Sequence, residues 1–297
     1  MSSEHDDSAP LANPHGIYLL EPRPCRHQAD SARVILRAAE MVPPGRAIVL
    51  GAGLCQEIPL DELAARFSQL VINDILPEPV ERGILAAGLG KEQRDKLEIR
   101  MADLTGITGM LVTGIGQVLS ESPSSDEAID RMSAILDTAP AGTFPIADQF
   151  ELVIASCVLS QLHYALVHES NSAFAQRFPG LGSRLTQSAR WQSSVYAIAR
   201  KMEDQFIDNL AQLVAHDGLI YLSESVQMCF VATTAAGKWQ TEGTWRMLRT
   251  TRLADYLDSR FTVVGFGRWD WVVSPPGSGD QRSRWYDVQA IVARIRT

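Results

Sequence analysis

Short continuous apolar runs alternate along this chain with segments whose apolar residues recur every three or four positions. The first run, Ala47 to Leu50, ends in Gly51-Ala52-Gly53. An amphipathic segment follows, with Ile58, Leu60, Leu63, Ala64 and Phe67 at roughly helical spacing. A second run, Leu70 to Ile72, closes on Asn73-Asp74. Continuously apolar runs predict strands buried on both faces, and the periodic segment between them predicts a crossover helix. Strand, glycine turn, helix, strand and acid form the opening unit of a nucleotide-binding parallel sheet.

The same reading extends to both sides. Asp30 or Ser31 starts a helix with Val34, Ile35, Ala38 and Met41 on one face, and Pro43-Pro44-Gly45 stops it. After Asp74, Pro77 opens a helix that closes at Gly88 or Gly90. Leu97 to Met101 is the third strand and ends at Ala102-Asp103-Leu104. Residues 105–148 hold a Gly-rich apolar segment, a Ser/Pro turn and a short helix from Glu127 to Leu136. Phe150 to Ala155 is the fourth strand, with Ser156 and Cys157 at its carboxyl end. A second insertion, 160–217, closes with a helix whose stripe is Val195, Ile198, Met202, Phe206, Leu210 and Leu213. Leu219 to Leu222 is the fifth strand, tipped by Ser223-Glu224. Gly237 to Leu248 reads as a Trp-rich loop or short helix, and Leu253 to Leu257 as helical. Phe261 to Phe266 and Tyr286 to Ile295 are a terminal antiparallel pair. The fold class is α/β.

Composition adds limits. The 297 residues are 45% hydrophobic and 21% charged, ordinary for a globular protein. A net charge of -8 argues against broad contact with nucleic acid phosphates. Cys25, Cys55, Cys157 and Cys229 are scattered and form no CxxC pair, which fits a reducing, cytoplasmic setting and suggests neither a zinc knuckle nor a redox motif. Residues 1–13 are polar and acidic and predict a disordered tail without a signal peptide. No apolar run approaches the ~20 residues of a membrane helix. The expected organisation is therefore a tail (1–13), an N-terminal lid and helix (14–45), and one domain (46–297) with insertions at 105–148 and 160–217.

The candidate chemistry gathers at strand tips. Gly51, Ala52 and Gly53 let the backbone approach a ligand closely. Asp74, about 20 residues on, stands where a ribose diol can hydrogen-bond to it. Ser156 and Cys157 sit at the carboxyl end of a strand, where open α/β sheets bind ligands. Tyr18, Arg23, Arg26 and His27 cluster around two prolines. They read either as the lead into a helix covering one sheet edge or as a lid over the ligand. His163 and His168, with Glu169, lie too far apart to share a helical face, so no metal site is expected. A dinucleotide fingerprint needs a third glycine where Gln56 stands, which counts against NAD.

The order of elements resembles class I S-adenosylmethionine-dependent methyltransferases, over most of residues 46–297. Gly51 to Gly53 is similar to that family's first motif, and FELVIASCVL to its fourth-strand motif. The resemblance implies a Rossmann-like, seven-stranded, mostly parallel sheet with a reversed last strand, helices on both faces and helical insertions as a cover. It implies that Asp74, with Ile75, binds the ribose hydroxyls of S-adenosyl-L-methionine. Asp103 with Leu104 would hold the adenine, and Ser156 and Cys157 would face the methyl donor. The chain departs from the family pattern at Val49, where an acid is common, and at Cys55, where a third glycine is common. Contacts to the methionine end would then fall to Glu57 or to the lid, Tyr18 and Arg26 included. The implied activity is in-line methyl transfer to an O or N nucleophile of a small-molecule acceptor, with His163, Tyr164 and His27 as candidate bases. Two alternatives stay open: an NAD(P)-binding oxidoreductase, and a non-catalytic S-adenosylmethionine-binding protein. The oligomeric state is not readable.

Overall fold

A computed structural model describes residues 19–20, 26–233, 239–246, 252–257, 259–273 and 283–296. The tail at 1–13 and most of the lid, Tyr18 and Arg23 included, lie outside the described residues.

The chain runs β1 (Leu19–Leu20), α1 (His27–Glu40), β2 (Arg46–Leu50), α2 (Leu60–Arg66), β3 (Gln69–Asp74), α3 (Pro77–Ala86), α4 (Lys91–Arg94) and β4 (Leu97–Met101). Then come α5 (Thr108–Glu121), α6 (Ser125–Asp137), β5 (Phe150–Ser156), a 3₁₀ turn (Leu159–Gln161), α7 (Tyr164–Arg177), α8 (Gly182–Gln187) and α9 (Ala189–Leu213). The last elements are β6 (Val214–Thr233), β7 (Trp239–Arg246), a 3₁₀ turn (Leu253–Tyr256), β8 (Phe261–Val272) and β9 (Ser283–Ile295).

Five parallel strands lie in the order β4-β3-β2-β5-β6. β9 runs antiparallel to β6, and β8 antiparallel to β9, so β8 points the same way as the parallel set. This is the expected seven-strand framework with its reversed strand. Two strands join it that the sequence did not announce. β6 continues past the tip of β5, and β7 takes over the vacated edge from Gln227 onward. β1 then pairs with β7. The segment read as a Trp-rich loop or short helix is thus a strand, and the fifth strand is far longer than Leu219 to Leu222.

Alternation along buried strands divides the core in two. Ile48, Leu50, Val71, Val153, Ala155, Ile220 and Leu222 face α5 to α9. Ala47, Val49, Leu70, Ile72, Leu152, Ile154, Leu219 and Tyr221 face α1, α2 and α3. The two insertions therefore build the second helical layer. α5 forms despite Gly109, Gly114 and Gly116 because Leu111, Ile115, Val118 and Leu119 make one buried stripe. α1 begins at His27, earlier than Asp30 or Ser31. Among the described residues no helix is long and apolar enough to cross a membrane.

One close approach ties a helix to the glycine turn. A Cβ built on Gly83 of α3 would lie 2.4 Å from the Leu54 carbonyl oxygen. Gly83→Ala should raise helix propensity by about 1 kcal/mol. Overpacking against backbone costs about 1–3 kcal/mol. The expected result is net destabilisation, read from the midpoint of urea unfolding.

Candidate functional site

The site lies where β2, β3, β4 and β5 end. Gly51 and Gly53 turn the chain with φ of 64° and 50°. A Cβ on Gly51 would sit 2.8 Å from a Val158 methyl, so this position excludes any side chain twice over. The space beside Gly53 is open. Ala52 is buried and its N–H donates to the Asn73 carbonyl at 3.0 Å. Asp74 accepts from the Gly53 N–H at 2.7 Å and from the Leu76 N–H at 3.0 Å. Two chain segments 21 residues apart are thus joined at the mouth of the turn.

Asp103 is a cap. Its Oδ1 accepts from Thr105 N–H at 2.9 Å and Thr105 hydroxyl at 2.8 Å, and its Oδ2 accepts from Thr108 N–H at 2.9 Å. The Oδ2 bond satisfies the first free amide of α5, and the Oδ1 bonds close the turn just before it. Asp74 and Asp103 then face one cleft of about 330 Å³. Gly51, Gly53, Ile75, Leu104 and Cys157 share its wall with them. The sequence reading missed Leu76, Pro79, Thr108, Val158, Gln161, Leu162 and Ala165, which also line it. Thr105 and Thr108 were legible in principle, because Asp-x-Thr-x-x-Thr before an apolar stripe is a cap pattern. Gln161 and Leu162 carry no such signal.

The described lining contains no Lys, Arg or His. It is apolar apart from two carboxylates, a few hydroxyls and one amide. α2 starts only at Leu60, seven residues after Gly53, so no helix N-terminus opens from the glycine turn.

Other candidate residues stand on or behind this wall. Ser156 is buried, with its hydroxyl 3.1 Å from that of Ser223. Glu57 is half-buried and hydrogen-bonds the Ser156 side chain; burial raises its carboxyl pKa. Cys157 adopts φ 53° and donates its N–H to the Ser223 carbonyl. Burial, then the charges of Glu224 and Glu57, hold its thiol well above the ordinary range. Cys55 is pushed up to about 12 by burial, Glu57 and Asp74. Neither cysteine is a thiolate at neutral pH. Tyr164 is 65% exposed, lines the cleft and stacks on His168. His163 precedes it, off the cleft wall, with Nδ1 buried and unpartnered; burial lowers its pKa. Arg26 is exposed at the start of α1 and makes no side-chain cap.

No protein-family model and no curated protein matches the sequence. Solved structures similar to the chain include the glycopeptide N-methyltransferase MtfA with S-adenosyl-L-methionine, at 10% identity and TM-score 0.39, covering 91% of this chain and 88% of that one. A SAM-dependent methyltransferase of Leishmania major is 12% identical at TM-score 0.40, covering 91% and 73%. Precorrin-6y C5,15-methyltransferase of Geobacter metallireducens is 12% identical at TM-score 0.38, covering 89% and 85%. Likenesses this remote carry no functional weight.

His27 corrects the sequence reading. It was a candidate base and lid residue; it is a core histidine, 3% exposed. Its ring stacks on Trp271 at 4.2 Å, and its Nδ1 accepts the Trp269 indole N–H at 2.9 Å. An indole only donates, so Nδ1 must be the bare nitrogen and Nε2 carries the proton. The lone pair a base needs is already engaged. Burial lowers the His27 pKa to about 4, against an opposing pull from Asp30. A depressed histidine pKa contributes stability that is present above the unfolded value near 6.5 and is lost as pH falls toward about 4. At about 1.4 kcal/mol per pH unit, lowering pH from 6.5 to 5 should cost about 2 kcal/mol through this group. In His27→Asn, whose side-chain oxygen can accept the indole N–H, the acid limb of stability against pH should flatten by that amount. Equal slopes in the two proteins would contradict the assignment.

Proposed function

We propose that this chain is an S-adenosylmethionine-dependent methyltransferase acting on an oxygen or nitrogen of a small molecule. The observation that carries the reading is the character of the cleft: two carboxylates at strand tips, an apolar wall, and no cationic side chain among the described lining. A pyrophosphate would need cationic or helix-N-terminal partners. A sulfonium nucleoside needs a diol acceptor, an apolar slot and negative potential, and Asp74, Leu104 and Asp103 meet those needs.

The bound methyl donor supplies an activated methyl group for in-line displacement. The protein orients. Asp74, steadied by the Gly53 and Leu76 amides, keeps lone pairs for ribose hydroxyls. Asp103 and Leu104, with Ile75, form the adenine end. Ser156, Cys157 and Glu57 flank the methionine end, with Arg26 and Tyr18 assigned to its carboxylate. Orientation supplies up to about 7–11 kcal/mol. Where the acceptor must lose a proton, the candidate bases are His163, which burial keeps neutral at pH 7 but which stands off the cleft wall, and Tyr164, which lines it. Tyr164, exposed beside the cleft, is assigned to orient the acceptor. The buried thiols of Cys55 and Cys157 fit a cytoplasmic setting.

Calorimetric titration tests the reading. S-adenosylmethionine and S-adenosylhomocysteine should bind, and NAD and NADP much more weakly. A charge-assisted bond is worth about 1.5–3 kcal/mol, so Asp74→Ala should weaken binding by about tenfold to a hundredfold while circular dichroism remains native. Tight NAD binding without methyl-donor binding would overturn the proposal.

A further inference from the structure

The turn between β5 and α7 supplies much of one wall of the cleft. Cys157, Val158, Gln161, Leu162, Tyr164 and Ala165 all face it. Leu159, Ser160 and His163 do not line it. Leu159 is fully buried in the core. Ser160 is held by Glu224, midway along β6 and just past the tip of β5. One Glu224 oxygen accepts the Ser160 N–H at 3.0 Å; the other accepts the Ser160 hydroxyl at 2.9 Å and the Ser225 N–H at 2.9 Å. Glu224 is 1% exposed, so it touches no ligand in the cleft. A buried carboxylate is costly unless hydrogen bonds compensate it. Here three donors converge on it, two of them from the residue that centres the turn.

We propose that Glu224 is the positioning residue of the cleft, its ionised carboxylate fixing the Leu159–Gln161 turn and with it the wall on either side. A neutral amide cannot replace it. With glutamine, one of the Ser160 and Ser225 N–H groups would face another donor and lose its acceptor. Gln161 reinforces the turn by donating to the Cys157 carbonyl at 2.8 Å, but it leaves Ser160 untouched.

Proton uptake at Glu224 should therefore loosen the wall. Burial raises its pKa to about 7, against the bonds from Ser160 and Ser225 and with a further push from Glu203 of α9. The other groups facing it are accounted for. Glu203 accepts the Tyr256 hydroxyl at 2.9 Å. Cys157 stays a thiol. Gln289, opposite on β9, is neutral. The sign runs in two directions. The ionised form orders the turn, whereas global stability should decline as pH rises from about 4.5 to about 7, because the fold disfavours the charge.

The inference rests on the methyl-donor reading only for the ligand used in its test. Hydrogen exchange of the free protein comes first. In Glu224→Gln, amides of 158–165 should exchange about tenfold faster than in the parent at pH 8, with 51–57 unchanged. S-adenosylhomocysteine affinity, by calorimetry, should fall about five- to twentyfold. The parent's affinity should weaken several-fold from pH 8 to pH 6, while the variant's stays flat. Ser160→Ala, which keeps the backbone bond, should shift both readouts in the same direction by less. A lower melting temperature with unchanged exchange at 158–165 and unchanged affinity would overturn the proposal. If Glu224→Gln does not fold, an unaltered turn and affinity in Ser160→Ala overturn it instead. If S-adenosylhomocysteine binds no protein, parent included, the functional reading fails and the exchange data alone decide the role of Glu224.

Discussion

A parallel sheet must finish its strands somewhere, and at each carboxyl end backbone groups leave the ladder without partners. Buried, each such group is expensive. This chain satisfies them with side chains and backbone from the neighbouring strand or turn. Asn73 donates to the Arg100 and Ala102 carbonyls across β4. Asp74 takes the Gly53 and Leu76 amides. Cys157 N–H is taken by the Ser223 carbonyl, and Glu224 takes two more amides. Each of these bonds joins segments distant in sequence or fixes a turn. The cleft is what remains between them, so its shape is a by-product of satisfying strand ends.

The same requirement sets its charge. Carboxylates are efficient acceptors for clustered N–H groups, so Asp74 and Asp103 are ordered by backbone before any ligand arrives. Their fixed orientation is a form of preorganisation, since little side-chain freedom is left to lose on binding. The packing beneath is equally constrained. α3 lies against the glycine turn at Gly83, and Val158 lies against Gly51 from the other side. The turn is wedged between two elements and cannot relax toward either.

What could be read in advance follows from the range of the interactions. Gly51, Gly53 and Asp74 were legible because turn, helix and strand lengths bring them together by local geometry. Asp103 was legible for the same reason, and its competing role as a cap was visible in Thr105. α5 was not, because three glycines lower propensity and only burial of Leu111, Ile115, Val118 and Leu119 against the sheet overrides it. β7 depends wholly on β6 extending beyond β5, which no local pattern encodes. His27 illustrates the converse. Its position beside prolines and arginines left a lid open as one of two readings, and two tryptophans more than 240 residues away pack against it in the core. Gln161 and Leu162 belong to the cleft only because Glu224, on another strand, sets the turn that carries them.

The position of β9 bears on how the chain is made. It is the last strand among the described residues, yet it lies inside the sheet, between β6 and β8. Until Ser283–Ile295 has left the ribosome, β6 keeps one edge bare along Ile220 to Val231, and β8 has no partner of its own among the described strands. Such long-range pairing is slow to form, and an unpaired apolar edge is prone to associate with other chains. The nascent protein can complete β2 to β5 early, but its sheet closes only once β9 has been made.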